Sequence, residues 1–128
     1  MEIRDLQEPI EAIGCDLSKS SFVDVKLDAA RFEDAGMTGV HFDQVKMSDA
    51  RLSQMNMSGV TFQNVLLAGA QFKDVGLAGS DLTQVDLAGV TIDKANLANV
   101  SISNCNIAGL RIDDVLVSDA LAAYWKTV

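Results

Sequence analysis

Counting from Leu17 in steps of five, every position through Val117 is apolar, a run of 21 with no polar residue and no change of register. Phe22, Phe32, Phe42, Phe62, Phe72, Leu87 and Leu97 are members of this ladder. Independent draws at 48% hydrophobic content give such a run about once in 10⁶, even after choosing the best register, so chance is excluded. A second column lies two residues earlier, from Cys15 through Val25, Val45, Val65 and Val85 to Val115. It is mostly small or β-branched, with Met55 and Leu110 the exceptions. The other three positions of each pentad are mostly Asp, Asn, Gln, Ser, Thr, Lys, Gly and Ala. Residues two apart share one side of a strand, so each pentad offers one large and one small inward group. A period of five fits neither a helix nor a simple alternating strand; it fits a short strand and a corner, repeated.

The pentads alternate between two kinds. In one, a small residue and Gly precede the next inward position, as in "MTGV" (37–40), "LAGA" (67–70) and "IAGL" (107–110). A type II turn needs positive φ at its third residue, so these read as type II corners. The other kind carries Asp, Asn, Gln or Glu at the corner, as in "FDQV" (42–45) and "FQNV" (62–65), and holds all five Phe. A different corner geometry is expected there. The resulting period of ten is compatible with four sides without requiring them.

The segments "VDLAG" (85–89), "ANLAN" (95–99) and "CNIAG" (105–109) resemble the Ala-Asp/Asn-Leu-x-x pattern of the pentapeptide-repeat family. The resemblance covers roughly residues 15–119 and implies an all-β fold, a right-handed quadrilateral parallel β-helix of about five coils. Four sides would stack Phe22, Phe42 and Phe62 in one ladder and place Phe32 and Phe72 on the opposite side. The organisation expected is an N-terminal cap over 1–14, the β-helix over 15–117 and a capping helix over 118–128.

The ends need separate treatment, because a solenoid leaves unpaired edges. After Val117 the period stops. Ser118 is positioned as an N-cap, Asp119 falls in the first turn, and Leu121, Tyr124 and Trp125 are spaced as one helical face. A helix this short must dock. Two readings stand: a lid over the last coil, or a homodimer seam through Leu121, Tyr124 and Trp125, as C-terminal segments serve in some family members. At the other end Ile3, Leu6, Ile10 and Ile13 have helical spacing interrupted by Pro9. An irregular cap with one helical turn ending near Gly14 is expected.

Charge and chemistry narrow the function. A net charge of −8 opposes direct nucleic-acid binding and anionic membrane surfaces. The acidic first twenty residues do not read as a signal peptide, and no apolar stretch is long enough to span a bilayer. A soluble, cytoplasmic protein is expected. Cys15 and Cys105, both in the small inward column, lie about four and a half coils or roughly 20 Å apart, too far to bridge, and are expected as buried thiols. His41 is the only histidine, outward, with no second ligand beside it, so neither a metal nor a cofactor is expected. No nucleophile has a general base next to it, and outward carboxylate pairs such as Glu33–Asp34 lack the burial that tunes acid–base chemistry.

The expectation is therefore no enzyme but a noncatalytic structural or protein-interaction module, with a second copy of itself or another protein as partner. The alternative, implied by the resemblance, is an acidic DNA mimic that binds DNA gyrase or topoisomerase. Against it, Arg31, Arg51 and Arg111 share one outward column flanked by acids, a self-compensating face rather than a negative stripe.

Overall fold

The computed structural model describes residues 2–3 and 10–127 of the chain. Short strands, most of three residues, recur about every ten residues and fall alternately into two sheets. The first sheet holds Glu2–Ile3, Ser21–Val23, His41–Asp43, Thr61–Gln63, Asp81–Thr83 and Ser101–Ser103. The second holds Glu11–Ile13, Arg31–Glu33, Arg51–Asn56, Gln71–Gly76, Thr91–Asp93 and Arg111–Ile112, closed by the antiparallel strand Val115–Leu116. Parallel neighbours pair across twenty residues, Phe22 with Phe42 and Phe42 with Phe62, Phe32 with Leu52 and Leu52 with Phe72. Single parallel bridges form the other two sides, Asp16–Gly36–Asn56 on one and Lys26–Lys46–Leu66–Asp86–Asn106 on the other. Four pentads thus complete a coil, and the chain makes a four-sided β-solenoid of about five turns.

Burial follows the ladder. Phe22, Phe32, Phe42 and Phe62 are wholly inaccessible to solvent, and Met37, Met47 and Met57 fill the adjoining sides. The rings of Phe22, Phe42 and Phe62 stack with centroids 4.9 Å apart and planes within 12° of parallel. That spacing is the inter-strand distance, so the pairing of strands alone places each ring on the next. Phe32 and Phe72 share the opposite side with Leu52 between them.

The two kinds of corner differ in hydrogen bonding. In all ten pentads of the first kind, from Leu17–Ser20 to Ile107–Leu110, the fourth residue's N–H donates to the first residue's carbonyl, as from Val40 to Met37 at 3.2 Å. Gly holds the third place in six of them, and Lys19, Ala29, Asp49 and Asn99 in the rest. The alternate corners close no such bond. There the second residue after the ladder position turns outward, and the Asp24 N–H donates instead to Asp43 O of the next coil at 3.0 Å. Left-handed φ is expected from the sequence only at the Gly corners, yet both kinds use it: Gln44, Asn64 and Asp74 have φ of 55°. Short polar side chains tolerate that region better than most, which accounts for the Asp and Asn there.

Many outward Asp and Asn residues brace the small-Gly corners. Oδ1 of Asp86, Asn96 and Asn106 accepts the N–H two residues on at 3.0–3.1 Å. Asp16 does the same with Ser18, whose hydroxyl and N–H hold its carboxyl below the usual carboxylate range.

Three expectations change at the ends. Glu11–Ile13 is a strand in register with Arg31–Glu33, not the close of a helical turn, because the second sheet's edge offers it pairing partners. Leu6 and Pro9 lie outside the described residues. Cys15 and Cys105 are free but half-buried rather than buried, since each sits in a terminal coil with no neighbouring coil on one side among the described residues. The C-terminal helix, α1, spans Val117–Trp125 and starts one residue before the expected Ser118 cap, with Leu116 at the N-cap and no side-chain capping bond. Among the described residues no helix is long and apolar enough to cross a membrane.

Candidate functional site at the open C-terminal end

The last coil repeats the pattern of those before it but lacks a coil on top. The N–H groups of Leu87 and Gly89 donate to Asn106 O and Ala108 O of that coil at 2.8 and 2.9 Å. The equivalent amides of Ile107 and Gly109 find no backbone acceptor among the described residues. Side chains follow suit: Leu82 is 5% exposed, and Ile102, its successor on the same sheet, is 41% exposed. Leu97, expected in the core ladder, is only half-buried, whereas Leu87 is buried.

Helix α1 does not close this end. Asp113 and Asp114 both take left-handed φ, 47° and 65°, and reverse the chain so that Val115–Leu116 pairs back on Arg111–Ile112. The Val117 N–H then bonds Leu110 O at 3.0 Å, which anchors the helix at its first residue. No helix residue is buried. Leu121, Tyr124 and Trp125, the sequence-predicted contact residues, are 43%, 55% and 67% exposed, and the Tyr124 and Trp125 rings meet edge to face at 5.1 Å. The helix thus stays accessible along its length and does not seal the last coil. Val117 and Leu121 instead form one wall of a recess of about 330 Å³ whose other wall includes Ile102, Cys105, Ile107 and Ile112. The Cys105 thiol has two carbonyl acceptors in reach, Ser103 O at 3.2 Å and Leu82 O of the coil below at 3.5 Å.

The remaining faces hold less. Arg31, Arg51, Gln71, Thr91 and Arg111 stack in register along the second sheet. Arg31 pairs with Glu33 at 2.5 Å, and Arg111 has the Asp114 carboxylate at 3.9 Å, so each of these two arginines has an acid beside it. His41 is exposed between Ser21 and Thr61. Among the described residues no three His, Cys, Asp or Glu side chains converge as metal ligands would.

Comparison with known proteins gives the following. Two family profiles match the sequence, a pentapeptide repeat region over residues 11–72 and pentapeptide repeats in eight copies over residues 70–109. No curated protein matches it. Among solved structures, it is similar to HetL of Nostoc sp., involved in heterocyst differentiation regulation, at 9% identity and a TM-score of 0.45, covering 89% of this chain and 86% of that one. A pentapeptide-repeat protein of the Arabidopsis thaliana thylakoid lumen is similar at 22% identity and a TM-score of 0.39, with 93% and 76% covered. Trypsin-treated QnrB1, a plasmid-mediated fluoroquinolone resistance protein, is similar at 12% identity and a TM-score of 0.34, with 100% and 90% covered.

Proposed function

The chain belongs to the pentapeptide-repeat family, and from that premise we propose that it is a noncatalytic protein-interaction module that pairs with a second copy of itself through its C-terminal end. The observation that carries this reading is the uncovered last coil beside a helix that presents Leu121, Tyr124 and Trp125 to solvent. An apolar coil end with free amides and an aromatic-bearing helix is costly to leave wet, and Tyr and Trp are enriched where proteins meet. A two-fold pairing would lay each helix over the other copy's open end, one patch serving both sides. The noncatalytic part is supported by the filled interior of the Phe coils and by corner carboxylates engaged with their own backbone.

The DNA-mimic alternative has the net charge of −8 in its favour. The in-register Arg31, Arg51 and Arg111 column interrupts the negative stripe that mimicry needs.

Light scattering on a sizing column tests the proposal. The wild type should elute at twice the 13.7 kDa protomer mass. A Tyr124→Asp, Trp125→Asp variant should return to the protomer mass with its strand circular dichroism intact. A wild type at the protomer mass at every concentration would overturn it.

A further inference from the structure

The aromatic and methionine filling of the core stops at Phe72; beyond it the sequence holds neither Phe nor Met. The consequence is a space on the solenoid axis. In the fourth coil Leu77, Leu82, Leu87 and Ile92 contribute one side chain from each side, and all four surround a cavity of about 220 Å³. Phe62 and Phe72 of the coil below form its floor, and all are buried. The wall continues through Leu97, Ile102 and Ile112 of the last coil, which are partly exposed and so mark the mouth. Every lining residue is Phe, Leu, Ile or Val, and no buried side-chain polar atom lacks a partner.

We infer that this axial cavity is a binding site for a small, uncharged apolar molecule of about single-aromatic-ring size, which lies against Leu82 and Ile92 just past the end of the Phe ladder. The Phe22–Phe42–Phe62 stack has a ring every 4.9 Å, and Leu82 takes the next place without supplying one. A cavity lined only by Leu, Ile and Phe, with no polar partner to hold water, stays dry at about 150 Å³ and takes up a benzene-sized guest, and this one is larger. A charged or strongly polar ligand would lose its hydration and gain no hydrogen bond, so the class is set by what the walls lack. The site rests on the interior of the fourth coil and does not depend on self-association.

Toluene is the probe, titrated into the whole protein and followed by the side-chain methyl NMR signals of Leu82 and Ile92. Wild type should show saturable shifts confined to the cavity residues and a rise in Tm with toluene concentration. Leu82→Phe, which continues the ring ladder into the cavity, should weaken binding at least tenfold and raise the Tm without ligand by a few degrees. Ile92→Phe fills the same space from the other sheet and carries the comparison if Leu82→Phe does not fold. No saturable shift in wild type, or equal binding by wild type and a folded filled variant, would overturn the site. Binding seen only after Trp125→Ala would also overturn it, since a second copy's side chain would then be the occupant.

Discussion

Phe62 and Ile102 hold the same place in the repeat, two coils apart on one sheet, yet Phe62 is sealed and Ile102 is 41% exposed. Leu77 and Leu97 differ in the same way on a neighbouring side. The strand is repeated from Phe62 to Ile102, and the turn bond from Leu77 to Leu97. What differs is whether a coil lies above. Burial in a solenoid belongs to the stack and not to the repeat, so an end coil has core residues without a core.

The sharpest break of this comparison puts one charge in each region. Phe62→Asp should unfold the protein, since it removes a stacked ring and buries a carboxylate, a loss above about 5 kcal/mol against a total of roughly 5–15. Ile102→Asp should cost no more than about 1–2 kcal/mol, because the carboxylate there keeps its water. Thermal melts by circular dichroism give both numbers; equal losses would remove the distinction between the coils. Next in size is a corner at the open end. Gly109 has φ of 74°, and a Cβ there would meet the Gly89 backbone N at 3.3 Å, so Gly109→Ala should cost about 1–2 kcal/mol or more.

The opposite change sharpens the comparison within the closed region. Ala29 takes φ of 60° in the same kind of corner, so Ala29→Gly should stabilise by about 1 kcal/mol in a denaturant melt. The smallest effect belongs to the outer face beside Phe62. Gln63 is exposed, and Gln63→Asp should move stability by no more than about 0.5 kcal/mol. A large loss there would mean that the ladder register is wrong.

Much of this fold is legible in the amino-acid sequence. The unbroken ladder places Phe22, Phe42 and Phe62 in one stack as soon as four sides are assumed, because period-five patterning leaves only one way to point them inward. The small-Gly corners are legible for the same reason, since a positive φ selects the residue. The N-terminal strand is not: Ile10 and Ile13 have helical spacing, and only the presence of the Arg31–Glu33 edge makes Glu11–Ile13 pair. Nor is the docking of α1. Its residues are found from their spacing, but its direction is set by two consecutive left-handed residues, Asp113 and Asp114, in a segment that otherwise reads as one more Asp corner. The axial cavity leaves a usable signal, the end of Phe and Met at residue 72, which pattern-counting passes over because Leu and Ile satisfy the ladder equally well.

Amide hydrogen exchange, read residue by residue, addresses the open end most directly. At dilution, where self-association is absent, Leu87 and Gly89 should be protected at least about a thousandfold more than Ile107 and Gly109, whose N–H groups have no coil to donate to. Raising the concentration should slow exchange at Ile107 and Gly109 as the second copy covers them. Equal protection of the two pairs in the dilute protein would contradict the account, because the last coil would then be closed by its own chain.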